Sequence, residues 1–390
     1  MSKINNLIKE LCPNGVEYKK VWEVTTWDKK YNAVEKSMQP KIEKYNYLLA
    51  NQLNEIVDPN GDVLILETGI NSEKKYTNTD LAGNNLCDAE IIAIPWGGTP
   101  NVKYYKGKFV TGDNRIAISN DTKLLDTKFL YYIFENRMNE ISEFYRGSGI
   151  KHPEMKKILL MNIPIPPIEI QEEIVRIFDK FGELEAELEA ELEARKSQYE
   201  FWRGKLFENN SKIIRLGELC SIKTGSKPKD ILELGDYEYI NAGTTNSGYT
   251  TITNAKGDCV TTPSRGQGGI GFVGFQENDF WCGPLCYQIR TLTDKLINKY
   301  LYYYMLAHSD YILGLKHEGG VPAVNIKELQ EMPICIPTLE EQEKVVNILD
   351  KFDKLINDIS EGLPAEIELR RKQYEYYRNK LLSFEVCNDE

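Results

Sequence analysis

Few residues in this sequence stand at spacings that catalysis would use. Gly269-Ile270-Gly271-Phe272-Val273-Gly274 satisfies the G-x-G-x-x-G pattern of a dinucleotide loop. Such a loop needs a helix N-terminus behind it to face the pyrophosphate, and the FQENDFWCGP that follows is turn-rich, so the stretch reads as a glycine-rich β-turn. Asp121-Thr122-Lys123 and Asp126-Thr127-Lys128 fit the acid-x-lysine triplet of some nucleases. With 59 acids and 48 bases in 390 positions, chance alone supplies several such triplets, and these carry no information. Three histidines (His152, His308, His317) are too few for most catalytic metal sites, and Cys282-x-x-x-Cys286 has no second ligand pair at suitable spacing. A phosphate loop and a nucleophile elbow are absent. The chain reads as non-catalytic, with no catalytic residue and no metal expected.

What remains is surface chemistry suited to nucleic acid. Thr245, Asn246 and Tyr249 offer a hydroxyl, an amide and a phenol on a glycine-flanked turn, and Ser264, Arg265 and Gln267 follow on another. A guanidinium suits guanine edges and an amide suits adenine. Earlier in the chain Trp96, Thr99, Asn101 and Lys103, then Arg115, occupy similar places. Arg146, Lys151 and His152 form a second basic turn, mirrored more weakly by Lys316. Glycine lets a backbone approach phosphates closely, and lysine and arginine neutralise them. A single loop of this kind is better explained as a solvated turn; its paired occurrence shifts the balance modestly towards binding.

A chain of this length calls for two or three domains, and its apolar content is enough to bury sizeable cores. There is no run of 18 apolar residues, and the start (MSKINNLIKELCPNG) lacks a charged segment followed by a long apolar one. Neither membrane spanning nor secretion is expected, and eight cysteines suit reduced cytosolic thiols. The expected compartment is the cytoplasm. The net charge of −11 is uneven: residues 167–197 and 338–369 each carry −6, leaving the remainder at +1. Phosphate binding needs only local positive potential, so the acidic total does not exclude DNA.

The two acidic segments are copies of each other. IPIPPIEIQEEIVRIFDKF (163–181) aligns on ICIPTLEEQEKVVNILDKF (334–352) with 11 of 19 positions identical, and QYEFWRGKL (198–206) on QYEYYRNKL (373–381) with six of nine. Internal repetition outranks every other signal here. Within each copy the spacing predicts a long amphipathic helix, with a stripe at Ile174, Ile177, Phe181, Leu184 and Leu188 in the first and Val345, Ile348, Phe352, Leu355 and Ile359 in the second. Each is expected to run about 35 residues, or about 50 Å, and the two to pack as an antiparallel coiled-coil-like pair rather than to fold back on their own domains. Thr338 with Glu341 offers a capping box, and Gly362 with Pro364 an interruption of the second helix. The other parts, about 16–166 and 212–337, show short β-like runs broken by glycine and asparagine, each closed by an aromatic helical stretch. The fold class is α+β in a pseudo-two-fold tandem repeat.

The helical blocks, with LPAEIELRRKQYEYYRNKLL, INAGTTNSGY and FYRGSGIKHP, make the sequence similar to the DNA-specificity subunits of type I restriction–modification enzymes over nearly its whole length. That resemblance implies two target-recognition domains (1–166 and 211–337), separated by two long spacer helices (167–210 and 338–390). Each domain would read one half of an asymmetric bipartite site on double-stranded DNA. The helices would dock two methyltransferase subunits, and restriction (motor) subunits would complete the complex. No cofactor is implied on this chain: S-adenosylmethionine, ATP and magnesium would belong to the partner subunits. One departure is visible, ELEAELEAELEAR at 183–195 where the second copy has GLPAEIE, so no spacer length carries over. Two alternatives stay open. One is a stand-alone DNA nuclease or methyltransferase with fused recognition domains; the other is a coiled-coil adaptor or anti-restriction decoy without base reading.

Overall fold

The structure, a computed structural model, describes residues 2–70, 73–208, 211–266, 268–317 and 321–386. Its contacts divide it into two compact units, Met1–Ala186 with Leu369–Glu390, and Glu187–Glu368. The division falls inside the long helices, so each unit holds a head together with parts of both spacer segments.

The first unit opens with helix α1 (Ser2–Leu11) and strands β1 (Glu17–Lys20), β2 (Thr25–Trp27), β3 (Val63–Leu66), β4 (Lys75–Thr77), β5 (Cys87–Pro95), β6 (Lys103–Thr111) and β7 (Asn114–Ser119). Helix α2 (Thr127–Asn136), the hairpin β8 (Tyr145–Arg146) and β9 (His152–Pro153), and β10 (Asn162–Ile165) lead into helix α3 (Ile168–Lys205). Six strands form one sheet in the order β2-β7-β5-β6-β3-β4, parallel only between β3 and β6. The second unit contains β11 (Lys212–Arg215), β12 (Cys220–Thr224), β13 (Tyr237–Ile240), β14 (Tyr249–Thr250), β15 (Cys259–Pro263), β16 (Gly274–Gln276), β17 (Trp281–Cys282) and β18 (Cys286–Thr291). Helix α4 (Asn298–Ala307), β19 (Pro333–Ile336) and helix α5 (Leu339–Asn357) follow, and helix α6 (Leu363–Leu381) returns to the first unit. Its main sheet, β12-β18-β15-β16, repeats the order β2-β7-β5-β6 of the first.

The duplication extends to hydrogen bonds. β1 pairs with β10 so that Glu17 faces Ile165, and β11 pairs with β19 so that Lys212 faces Ile336, the same register in each copy. Gln171, wholly buried, donates from Nε2 to the carbonyls of Leu124 (2.8 Å) and Pro166 (2.7 Å) and accepts the N–H of Asp126 (2.9 Å). Gln342, also wholly buried, donates to Lys295 (2.8 Å) and Pro337 (3.0 Å) and accepts from Ile297 (2.9 Å). Each amide thereby satisfies three backbone groups at the root of a long helix, groups that would be costly to bury unpaired. A second clasp recurs one element away. The Tyr132 hydroxyl donates to Asp179 and that of Tyr303 to Asp350, with Lys128 and Lys299 ion-paired to the same carboxylates.

α3 is continuous for 38 residues, about 57 Å at 1.5 Å per residue. Its Glu, Leu and Ala repeats are strong helix formers, and exposed pairs such as Arg195–Glu191 and Lys196–Glu193 decorate it. The second spacer is two helices, α5 and α6, not one. Asp358 accepts the N–H groups of Ser360 (2.7 Å) and Glu361 (3.2 Å) at the break. A Cβ on Gly362 would lie 2.6 Å from the Asp358 carbonyl, and Pro364 stands in the first turn of α6, where a missing N–H costs nothing. The Thr338–Glu341 capping box forms reciprocally. Among the described residues no helix is long and apolar enough to cross a membrane.

The expected stripes need correction. Ile174, with Ile170 and Phe178, is buried in the first unit's own core, and Ile177 lies at its edge. α5 buries Gln342, Val345, Leu349 and Ile356, whereas Ile348, Leu355 and Ile359 are exposed. The helices leave their heads directly through β10 and β19, so their first turns are covered by α2 and α4 before any partner helix is met. Helix pairing is real but narrower. In the first unit Phe178 meets Tyr374 edge-on (5.6 Å), Phe181 lies tilted against Tyr374 (6.1 Å) and Tyr377, and Glu185 pairs with Arg371, an antiparallel register. In the second, Tyr199 meets Phe352 at 6.3 Å. Leu184 and Leu188 are half-buried.

Candidate nucleic-acid interface

Each unit builds the same small head from the end of a central strand. β5 ends at Pro95, opposite Asn114, and β15 at Pro263, opposite Cys286. The next residue bonds back to the neighbouring turn: Trp96 N–H donates to Asp113 O, and Ser264 N–H to Leu285 O, both at 2.9 Å. Two residues on, Gly98 and Gly266 have φ of +105° and +134°, in the left-handed region that glycine adopts without strain. Their N–H groups donate to Lys151 O and Pro322 O, each at 3.0 Å. The loop is thus tied to an antiparallel pairing in both copies, the hairpin of Arg146 against His152 in one and the bridge of His317 against Ala323 in the other.

The first head carries Trp96, half-buried, with the His152 ring 5.2 Å away. His152 Nδ1 lies 2.6 Å from Trp96 O. A carbonyl only accepts, so Nδ1 holds the proton and Nε2 is the ring's remaining polar atom. Lys151 and Thr99 are exposed, and exposed Arg146 pairs with Glu154 at 3.1 Å. Three expected contacts serve structure instead. Arg115 is 2% exposed, ion-paired to Asp28 (2.9 Å) and Asp113, because β7 begins at Asn114 and turns the next side chain inward. Asn101 donates its amide to the carbonyls of Thr68 and Thr99 (both 3.1 Å). Lys103 donates to Glu67 O, and burial pushes its ammonium down to about 8. Sequence reasoning overlooked Lys29, whose Nζ lies 4.9 Å from the Trp96 ring centroid, and Asp28, which holds Arg115. The signal was present as a Trp-Asp-Lys-Lys run at the end of a strand.

In the second head Arg265 is exposed and, among the described residues, has no carboxylate partner. Ser264 is buried at 8%, its backbone bonded on both sides, so its hydroxyl is not presented. Thr245 is exposed, Asn246 donates to Glu238 (3.3 Å), and Tyr249 is half-buried in β14. Lys316 is half-buried, next to the His317–Ala323 bridge; Gln267 lies outside the described residues. The glycine-rich 269–274 stretch packs rather than cradles: a Cβ on Gly269 would strike the Ala242 carbonyl at 2.1 Å. Cys282 and Cys286 are buried with Cys259 and Phe280 as a small core. Among the described residues no group of His, Cys, Asp and Glu could hold a metal ion.

The type I restriction modification DNA specificity domain matches the chain twice, over residues 13–194 and 208–369. A Haemophilus influenzae chain named as a type I restriction enzyme specificity subunit is 31% identical over 328 residues, covering 76% of this chain and 83% of that one. The specificity subunit of the Escherichia coli enzyme EcoR124I/EcoR124II is 33% identical, over 69% of this chain and 73% of its own. The crystal structure of a type I system S subunit from M. genitalium shares the fold, with a TM-score of 0.64 at 18% identity, covering 94% of this chain and 96% of that one. The chain therefore belongs to the DNA-specificity subunits of type I restriction–modification enzymes.

Proposed function

We propose that the chain reads an asymmetric bipartite site on double-stranded DNA, one head to each half, and docks two methyltransferase subunits on its helices, with restriction subunits completing the assembly. The observation that carries this reading is the recurrence of one strand-end loop, held by the same backbone bonds and bearing different side chains, Trp96-Gly97 in one head and Ser264-Arg265 in the other. A shared scaffold with different tips reads half-sites of different sequence. Arg265, exposed and without a carboxylate partner among the described residues, suits the O6 and N7 acceptors of guanine. Lys151, His152, Arg146 and Thr99 flank the first tip, and Thr245, Asn246, Tyr249 and Lys316 the second.

For docking, the helices expose Phe201 (59%) and Trp202 (42%) in the first copy and Tyr376 (59%) in the second, at the position equivalent to Phe201. Exposed aromatics among charged neighbours are the kind of surface that a protein partner covers. The chain supplies specificity and no catalytic step; S-adenosylmethionine, ATP and magnesium act on the partner subunits. The test is a methylome of a host carrying the wild-type chain or Arg265→Ala. The expected result is degeneracy at one position of one half-site with the other half intact. An unchanged motif would refute base reading by this head.

A further inference from the structure

We infer that Lys29 is a phosphate contact of the first head, and that Asp28 and Arg115 are positioning residues that set it beside Trp96. The inference rests on reading this head as DNA-facing. The segment Asp28–Tyr31 leaves β2 and is pinned at both ends. The Asp28 N–H donates to Ile116 O (2.9 Å), and its carboxylate accepts from Arg115 Nη1 (2.9 Å), the Tyr31 hydroxyl (2.8 Å) and the Ile116 N–H (3.3 Å). Burial, with Asp28 alongside, pushes the Tyr31 phenol well above its ordinary value, so it remains a donor. The Gln39 amide accepts the Tyr31 N–H (2.8 Å) and donates to Lys29 O (2.9 Å). Little freedom is left in the backbone that carries Lys29.

Two cations then meet one indole. The Arg115 guanidinium lies 4.6 Å from the Trp96 ring centroid and Lys29 Nζ 4.9 Å from it. Arg115 is spent on Asp28 and Asp113. Lys29 is half-buried and, among the described residues, has no carboxylate partner. Lys29 thus faces an aromatic ring and, among the described residues, no carboxylate, so an anion arriving from outside would be its ion-pair partner. An ammonium is a point charge with rotatable donors, suited to a phosphate oxygen rather than to the planar fork a guanine edge rewards. Exposed Lys151, whose carbonyl holds Gly98, adds charge on the same loop.

The test uses the purified full chain and two labelled duplexes, one carrying the site it directs to methylation and one of random sequence, titrated across a range of potassium chloride concentrations. Lys29→Met is expected to weaken both duplexes about fivefold to tenfold near about 0.1 M salt, flatten the logarithmic salt slope by about one, and leave their ratio unchanged. Arg115→Met is expected to reproduce that slope change, and the double variant to add nothing further, since the two act through one contact. If Arg115→Met does not fold, Asp28→Asn takes its place. An unaltered slope for Lys29→Met overturns the inference alone. A loss confined to the cognate duplex makes Lys29 a base reader and overturns the phosphate assignment, and additive effects overturn the positioning role. A wild-type chain that binds neither duplex overturns the DNA-facing reading and this inference with it.

Discussion

Arg115 and Arg265 are both expected from the sequence to reach DNA, and the fold places them differently: Arg265 stands where the first copy has Gly97, and Arg115 where the second copy has Tyr287. Arg115 is the second residue of β7, opposite Ile94, and its guanidinium is spent inside the unit. Arg265 follows the end of β15 and remains in solvent. Removing one partner of a buried ion pair strands the other, so Arg115→Ala is expected to cost about 3–5 kcal/mol of stability, read from a denaturant midpoint. Arg265→Ala is expected to leave that midpoint within about 0.5 kcal/mol of wild type. It should instead cost about 1–3 kcal/mol of cognate binding, measured against single-base variants of the site. Lys103 adds a pH signature. Its ordinary value is 10.5, and burial brings it to about 8. Between those values the unfolded chain keeps a proton that the folded chain has released, so stability rises with pH through that window; below about 8 both states are charged and the burial cost is fully present. Lys103→Met is therefore expected to be more stable than wild type at neutral pH, with the difference shrinking by about pH 10 in paired urea titrations. A difference independent of pH would mean that the ammonium is not desolvated in the folded chain.

At the scale of elements, α5 shows why a helix is easier to find than to orient. The stripe through Val345, Ile348, Phe352, Leu355 and Ile359 and the buried line through Gln342, Val345, Leu349 and Ile356 both obey helical spacing. They differ in phase, and what covers the helix decides between them. α4 sits over it through Tyr303 and Lys299, which reach Asp350, and α3 through Tyr199 on Phe352. Leu349→Asp should accordingly cost about 4 kcal/mol or more, and Ile348→Asp about 1 kcal/mol or less, by thermal or chemical unfolding. The same comparison marks what the sequence could disclose. The capping box at Thr338, the break at Gly362 and Pro364 and the repeat itself depend on residues a few positions apart, and were legible. Arg115's ion pair joins residues 87 apart, and Gln342 reaches 45 residues back to Ile297, so neither was visible in a local window. A signal for the glutamines did exist, because Gln171 and Gln342 are identical in both copies inside an otherwise apolar stripe. Gln342→Leu, which strands two carbonyls and an N–H, is expected to cost about 2–3 kcal/mol.

At the scale of the molecule, the duplicated helical blocks keep their residues better than the heads do, although the second spacer is broken at Gly362 where the first runs on. The helical copies agree at 11 of 19 positions where the strand-end tips share little. That division of labour fits a chain presenting two different faces to DNA and two similar ones to identical partners. Phe201 and Tyr376, equivalent and exposed, are the positions where the similar faces can be tested separately. On the proposed docking, Phe201→Ser with Trp202→Ser should weaken one methyltransferase site by about 2 kcal/mol or more, the scale of an aromatic hot spot, and Tyr376→Ser the other. Native mass spectrometry of the assembled complex should then pass from two methyltransferase subunits per chain to one for either variant, and to none when both are combined. Because these residues lie outside the heads, the salt-dependent affinity of the chain alone for its duplex should not move. If either single variant released both subunits, the two docking events would share one surface, and the pairing of one face with each repeat would be wrong.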